Sequence, residues 1–149
     1  MGESLDLRPG SHIYFMGICG TAMASLAGLL KEKGYRVSGS DQNVYPPMST
    51  QLEDLGISIK VGYKTENLDE APDLVIVGNV IPKSNPEAQK LLSTKIPYMS
   101  LPVAMSKFLI EDRESVVLAG THGKTTVSSM VAHLLKQEGF GANAFLGGI

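Results

Sequence analysis

The sequence predicts an α/β fold in which a parallel sheet carries helices on both faces. Short apolar runs of strand length alternate with segments whose apolar residues recur at the period of a helix. Glycine-rich turns join such a run to such a segment twice, at residues 17–21 and 120–126. Units of this kind produce parallel strands, because the helix returns the chain to the same end of the sheet.

Composition narrows the classes of protein to consider. The chain has 149 residues, of which 43% are hydrophobic and 19% charged, and a net charge of −2, which is typical of globular proteins. The sequence contains no strongly basic run that would indicate a nucleic-acid partner. No apolar run approaches the ~18 residues that a membrane span requires. Cys19 is the single cysteine, which excludes an internal disulfide and favours a reducing, cytoplasmic setting.

The first unit begins with an apolar strand at residues 12–16, in which His12 is expected to be an ordinary strand-end residue. The turn at residues 17–21 (GICGT) follows directly. A helix over residues 22–33 then presents apolar residues at helical spacing and ends at Gly34. This strand–turn–helix order predicts the first half of a nucleotide-binding sheet.

A second strand at residues 35–40 is closed by Asp41, 24 residues after Gly17 (41 − 17). That is near the ~20 residues at which an acidic side chain contacts a ribose in such folds. The dinucleotide fingerprint GxGxxG is not met, because Cys19 and Ala22 occupy the positions of its second and third glycines. A tight turn without a ligand is therefore an alternative. We expect Cys19 to be a small loop residue and not a nucleophile.

Residues 42–110 continue the alternation. Further helices are expected from a cap at Ser49 or Thr50 to Leu55, over residues 86–93 and over residues 101–110. Further strands are expected at residues 57–61, 73–77 and 96–99. Asn79 follows the strand at 73–77, at the sheet edge where open α/β folds bind ligands.

The second unit repeats the order strand, glycine-rich loop, helix. Residues 115–119 are apolar and β-branched, which is typical of a buried strand, and residues 120–126 (GTHGKTT) follow directly. Gly139 stands where a helix C-terminus favours a left-handed residue. The apolar face of the intervening helix is expected to consist of Val127, Met130, Val131, Leu134 and Leu135.

The GTHGKTT loop has the chemistry of a phosphate-binding loop. Glycines let backbone N–H groups approach an anion, and a helix start adds N–H donors and the positive end of its dipole. Lys124 can reach the β- and γ-phosphates of a nucleotide, and the Thr125 hydroxyl can coordinate the accompanying Mg²⁺. The loop departs from the GxxxxGK[ST] pattern, since Leu118 stands where the first glycine would be. A chance Gly-Lys-Thr in a turn is the alternative.

Together with the upstream GICGTAM, the GTHGKTT loop resembles those of the Mur ligases of bacterial peptidoglycan synthesis, and the resemblance runs from His12 to the end. Residues 43–50 and 96–100 favour the branch that recycles muropeptides over the branch that adds L-alanine, although the two share both loops. The resemblance implies a cytoplasmic, ATP-dependent ligase. It would join a peptide to the lactoyl carboxylate of UDP-N-acetylmuramate through an acyl phosphate, with UDP-N-acetylmuramate–L-alanine ligase as the alternative.

The resemblance also implies a role for each loop residue. The UDP-sugar would be bound by Gly17, Ile18, Cys19, Gly20, Thr21, Ala22, Met23, Ser40, Asp41 and Asn79. ATP would be bound by Gly120, Thr121, His122, Gly123, Lys124, Thr125 and Thr126. Lys124 and His122 would be catalytic and Thr125 would hold Mg²⁺, while shaping the loop is an alternative role for His122.

The predicted organisation is a leader at residues 1–11, a Rossmann-like UDP-sugar-binding domain at 12–112 and the incomplete beginning of a P-loop ATP-binding domain at 113–149. Too few residues follow the loop to supply the other strands and metal ligands that such a domain needs. We therefore expect an N-terminal fragment that binds nucleotide without performing chemistry alone. A non-catalytic module for NAD or UDP is the alternative of another class. The peptide joined and the oligomeric state stay open.

Overall fold

The parallel sheet predicted from the sequence is present in the computed structural model, which describes residues 6–111 and 114–141. Within those residues five strands form one parallel sheet in the order β3-β2-β1-β4-β5. The strands are β1 (His12–Met16), β2 (Arg36–Asp41), β3 (Ser58–Val61), β4 (Leu74–Val77) and β5 (Tyr98–Ser100).

Strand β1 lies at the centre of the sheet, where Ile13 is opposite Val37 of β2 on one side and Leu74 of β4 on the other. The chain passes from β1 to β2 and reaches β4 only after β3, so the strand order reverses beside β1. The loops that follow β1 and β4 therefore diverge. In open α/β sheets the crevice between such loops is the usual ligand site.

Helices cover both faces of this sheet, as predicted. The helices within the described ranges are α1 (Thr21–Glu32), α2 (Met48–Asp54), α3 (Pro86–Leu92), α4 (Leu101–Met105) and α5 (Lys124–Gln137). A 3₁₀ turn at Thr65–Leu68 and a π-helical turn at Ser106–Ile110 complete the helical elements of those ranges.

The alternation of side chains along β1 divides the core into two layers. Ile13 and Phe15 pack on one face with apolar residues of α1, α2 and α4. Tyr14 and Met16 pack on the other face with Leu68 and with apolar residues of α3. All five residues of β1 are buried, which explains why its residues 13–16 form an uninterrupted apolar run.

Local features agree with the prediction at some element ends and differ at others. Helix α3 begins at Pro86 as predicted, and Asn85 caps it, since its Oδ1 accepts from the N–H groups of Glu87 (2.9 Å) and Ala88 (3.2 Å). Helix α2 begins at Met48, ahead of the predicted caps at 49 and 50, because Pro47 already has a helical backbone conformation.

Three further predictions need correction. Strand β5 begins two residues later and ends one residue later than expected, where its backbone pairs with β4. The helix expected over 101–110 divides into α4 and the π-helical turn. The leader, whose polar residues ending in Pro9-Gly10 predict a loose segment, is attached to the domain: Leu7 packs against the core and the Gly10 N–H donates to the Gly34 carbonyl at 2.8 Å.

The strand predicted at residues 115–119 was wrong. Residues 114–119 have an irregular backbone, and Val116 and Val117 are 70% and 85% exposed. A strand needs a neighbour to accept its backbone hydrogen bonds, and no described residue supplies one here. Helix α5 forms as predicted, and Gly139 after it has a φ of +82°.

The predicted start of a P-loop domain is thus represented in the described residues by a loop and a helix, without a sheet of its own. The strand expected at residues 142–146 lies outside the described residues, and so do residues 1–5 and 112–113. The domain boundary near residue 113 stays a prediction. None of the described helices is both long and apolar enough to cross a membrane.

Candidate nucleotide-binding site

The turn between β1 and α1 is held against the end of β2 by its own backbone. The N–H groups of Gly17 and Ile18 donate to the Ser40 carbonyl at 2.8 and 3.1 Å. The N–H of Cys19 donates to the Asp41 carboxylate at 2.9 Å. Gly17 has a φ of +85°, a conformation that favours glycine, so the chain can reverse sharply at this point.

Two glycines allow the backbone to approach this closely. A Cβ on Gly39 would lie 2.5 Å from the Phe15 carbonyl oxygen and 2.8 Å from Ile18 Cδ1. A Cβ on Gly78 would lie 3.0 Å from the Met16 carbonyl oxygen. Larger residues at these positions would push β2 and β4 away from β1.

The first turn of α1 provides three backbone donors with no partner among the described residues. The Ala24 N–H starts the helical pattern by donating to the Gly20 carbonyl at 2.8 Å, which leaves the N–H groups of Thr21, Ala22 and Met23. No acidic side chain lies in this turn. These donors and the positive end of the helix dipole form a seat for an anion. Fewer of the predicted residues offer a backbone N–H to an anion than expected, because the N–H groups of residues 17–20 donate to acceptors within the protein.

Polar groups surround this seat at the carboxyl edge of the sheet. The Asp41 carboxylate accepts from the N–H groups of Cys19 and Asn43, both at 2.9 Å, and each oxygen keeps a lone pair for another donor. Asn79 is exposed at the end of β4, as expected for a residue that meets a ligand. The sequence-predicted residues of the first site, 17–23, 41 and 79, therefore lie along one edge of the sheet.

Sequence reasoning missed two residues at this edge. The Tyr63 hydroxyl and Ile81 Cδ1 lie 3.7 and 3.5 Å from the point where a Cβ of Gly17 would be. Burial, with a smaller contribution from the Asp41 charge, raises the pKa of Tyr63 to about 12, so its hydroxyl remains a hydrogen-bond donor at neutral pH. An aromatic residue directly after Gly62, where β3 ends, was the signal that could have identified Tyr63.

Among the predicted residues, Ser40 has an internal role, and the thiol of Cys19 is partly buried. Ser40 is completely buried, and its hydroxyl donates to Glu87 Oε1 at 2.8 Å. Burial, reinforced by the Asp41 charge, raises the pKa of Cys19 to about 11. The Cys19 thiol is therefore protonated at neutral pH, which agrees with the expectation that it is not a nucleophile.

The second predicted site, residues 120–126, consists of an exposed loop at residues 120–123 and the exposed first residues of α5. Gly123 has a φ of +71°, and Lys124 Nζ donates to the Gly120 carbonyl at 2.8 Å. The Val127 N–H donates to the Gly123 carbonyl at 3.0 Å, so the N–H groups of residues 124–126 have no partner among the described residues. The loop therefore combines an ammonium group with a helix N-terminus, the donors that a phosphate chain requires.

The chemistry of the loop is compatible with a magnesium ion brought in by a nucleotide. In the described residues, no cluster of three or more His, Cys, Asp and Glu side chains could hold a metal ion. Mg²⁺ in nucleotide sites commonly keeps water ligands and takes only one or two ligands from protein. The hydroxyl of the exposed Thr125 can serve as one such ligand.

This chain is similar to known proteins in both sequence and structure. The family model described as "Mur ligase family, catalytic domain" matches residues 12–113. The chain is 46% identical over 137 residues to the UDP-N-acetylmuramate–L-alanyl-γ-D-glutamyl-meso-2,6-diaminoheptandioate ligase of Escherichia coli (strain K12), covering 92% of this chain and 30% of that protein.

Two further similar proteins are an L-alanine ligase and a tripeptide ligase. The UDP-N-acetylmuramate–L-alanine ligase of Carboxydothermus hydrogenoformans is 38% identical, with 91% of this chain and 29% of that protein covered. The crystal structure of UDP-N-acetylmuramate:L-alanyl-γ-D-glutamyl-meso-diaminopimelate ligase from Neisseria meningitides has a TM-score of 0.87 and 40% identity. That match covers 94% of this chain and 44% of the other. The chain thus spans about 30% of the length of the curated relatives it matches.

Proposed function

Because this chain belongs to the Mur ligase family, we propose that it is the nucleotide-sugar-binding end of an ATP-dependent carboxylate–amine ligase. The complete protein would join a peptide to the lactoyl carboxylate of UDP-N-acetylmuramate in the recycling or synthesis of peptidoglycan. The observation that carries the proposal is the anion seat at the start of α1, beside the Asp41 carboxylate. An ATP-using ligase of cell-wall precursors would work in the cytoplasm.

The first site suits a uridine diphosphate. The negative diphosphate would lie on the N–H groups of Thr21, Ala22 and Met23, along the turn from Gly17 to Gly20. Asp41 would accept hydrogen bonds from ribose hydroxyls, because its oxygens keep unused lone pairs. Asn79 would contact the same ligand from the end of β4. Ser40 would act from beneath the site, since its side chain is buried.

The second loop suits the phosphates of ATP. The N–H groups of residues 124–126 and the Lys124 ammonium would bind the phosphate chain, and the Thr125 hydroxyl would hold Mg²⁺. The ion would supply positive charge beside the phosphates. ATP would supply the phosphoryl group that turns a carboxylate oxygen into a leaving group, so that an amine can form the amide bond. The exposed His122 would contact nucleotide or substrate from the same loop.

Binding by this chain is tested by titration calorimetry with UDP-N-acetylmuramate, UDP and NAD. We expect the two uridine ligands to bind at one site and NAD to bind more weakly. Ala22→Glu places a carboxylate in the anion seat and should weaken UDP binding by about tenfold or more through charge repulsion. Ser25→Glu, one turn further along α1, is the matched control and should bind UDP as the wild type does.

Two outcomes would contradict this assignment of the first site. Absence of any heat change at millimolar UDP-N-acetylmuramate would exclude a uridine nucleotide as the ligand of this site. Tighter binding of NAD than of UDP would support the alternative of a nicotinamide module.

The ligase reaction is tested in the full-length protein with Lys124→Ala. We expect peptide-dependent ATP hydrolysis to be lost, because the ammonium that stabilises charge on the transferred phosphoryl group is removed. Lys136→Ala, in the last turn of the same helix, is the control and should retain activity. Undiminished turnover by the Lys124 variant would exclude that lysine from the mechanism.

The acceptor separates the two candidate ligases. The greater identity to the tripeptide ligase, 46% against 38% for the L-alanine ligase, favours L-alanyl-γ-D-glutamyl-meso-diaminopimelate as the acceptor. Product formation with L-alanine and not with the tripeptide would support the alternative, UDP-N-acetylmuramate–L-alanine ligase.

A further inference from the structure

A closed ring of hydrogen bonds lies beneath the carboxyl edge of the sheet. The Ser40 hydroxyl donates to Glu87 Oε1 at 2.8 Å, and Asn67 Nδ2 donates to Glu87 Oε2 at 2.9 Å. Asn67 Nδ2 also donates to the Gly62 carbonyl at 3.0 Å. The Gly62 N–H donates to the carbonyl of Asp41, which is covalently next to Ser40 and closes the ring.

Burying the side chain of Glu87 at this position has a free-energy cost. Its side chain is 0% exposed, and within the described residues no Lys, Arg or His nitrogen forms an ion pair with it. The ammonium of Lys60 donates instead to the Asn67 carbonyl at 3.0 Å. Burying an unpaired carboxylate destabilises a fold unless hydrogen bonds compensate. Packing alone therefore does not explain a carboxylate here, whereas its ability to accept from two separate segments does.

One of those segments, the end of β2, supports the predicted nucleotide site. Ser40 carries the carbonyl that holds the N–H groups of Gly17 and Ile18, and Asp41 carries the carboxylate that holds the Cys19 N–H. Glu87 itself is fixed by α3, because its N–H donates to the Asn85 cap at 2.9 Å. The ring thus connects the end of β2, the end of β3 and the start of α3 in one structure.

We propose that Glu87 is a positioning residue for nucleotide binding, which holds the end of β2 so that the turn after β1 keeps its anion-binding shape. This inference rests on the proposed function of the site. Glu87 contacts no ligand in this account and acts through Ser40, Asn67 and Gly62. A residue with a merely structural role would change stability and leave the affinity of the folded protein unchanged.

The test compares three variants of this chain by UDP titration and by NMR hydrogen exchange of the Gly62 N–H without ligand. Glu87→Ala opens the ring. Glu87→Gln can keep it closed, because its carbonyl accepts from Asn67 while its NH₂ group donates to the Ser40 oxygen. Leu91→Ala is the matched control, since Leu91 is buried in the same helix and outside the ring.

We expect Glu87→Ala to raise the Kd for UDP and to speed exchange at Gly62 by about tenfold each, the effect of losing about 1.4 kcal/mol. Glu87→Gln should stay within about threefold of the wild type. Leu91→Ala should lower the Tm without changing the Kd.

Three results would overturn the proposal. An unchanged Kd or an unchanged exchange rate in a folded Glu87→Ala variant would do so, as would an equal rise in Kd for Leu91→Ala. If Glu87→Ala does not fold, Ser40→Ala is used instead, because it also removes one member of the ring. An unchanged exchange rate of the Gly62 N–H in Ser40→Ala would then overturn the proposal. A wild-type chain that binds no UDP overturns the proposed function instead, while the exchange arm still decides whether Glu87 holds the ring.

Discussion

Two stretches of the chain have the same order of apolar run, glycine-rich turn and helix. Only the first forms a strand within a sheet and a helix packed against that sheet. In the first, β1 has a neighbouring strand on each side and α1 buries six of its residues. In the second, residues 115–119 form no strand and α5 buries none. Both stretches have an apolar run, a glycine-rich turn and a helix with an apolar face. The difference comes from what surrounds them.

The comparison shows which elements a local sequence can specify alone. A helix satisfies its backbone hydrogen bonds internally, so α5 forms although Met130 and Leu134 are 60% and 58% exposed. A strand satisfies them only through another strand, so Val116 and Val117 do not form one by themselves. In β1 the partners come from residues more than 20 and more than 60 positions away, as the pairs Ile13–Val37 and Ile13–Leu74 show.

The largest expected difference between the two stretches is the response to losing a leucine. Leu26→Ala in α1 removes a completely buried side chain and should lower the free energy of unfolding by about 2–5 kcal/mol. Leu134→Ala in α5 removes an exposed one and should change it by less than about 0.5 kcal/mol. Urea denaturation of both variants measures the contrast. Equal losses would mean that the apolar face of α5 is covered in solution.

A smaller contrast is expected at the glycines. Gly39→Ala brings a methyl group to 2.5 Å from the Phe15 carbonyl oxygen, which should destabilise the protein by about 1–3 kcal/mol. Gly120→Ala meets nothing closer than 3.5 Å and should change stability by less than about 0.5 kcal/mol. Thermal unfolding of the pair measures this. A Gly39 variant as stable as the wild type would show that β1 and β2 can separate without penalty.

The smallest expected effect is a pH dependence of the free energy of unfolding, which comes from His12 in the buried strand β1. Burial and then the neighbouring Arg36 lower the pKa of His12, with partial opposition from Glu70 and Asp73. The unfolded state therefore binds more protons below pH about 6.5, and stability should fall as the pH decreases from 7 to 5. His12→Gln should flatten this dependence in urea denaturation measured across that range. An unaltered slope would assign the dependence to other groups.

The sequence could propose candidate site residues where they lie in a turn after a strand or at a strand end. The turn 17–23 and Asp41 were identified because turns after strands and acidic strand ends have recognisable spacing. Glu87 and Asn67 were not identified, because nothing near them in sequence indicates that they meet beneath β2. Ser40 was expected at the ligand, yet its hydroxyl points to Glu87, a contact that depends on where α3 packs.

By itself the sequence determined the parallel α/β architecture, most helix positions and the two glycine-rich turns. These depend on periodicity, on glycine conformation and on helix ends, all of which act over a few residues. Only the tertiary structure decided which backbone donors remain for a ligand, which carboxylate lies buried and which apolar run becomes a strand. Those outcomes depend on groups brought together from distant parts of the chain, and an apolar run without a neighbouring strand has no partner for its backbone.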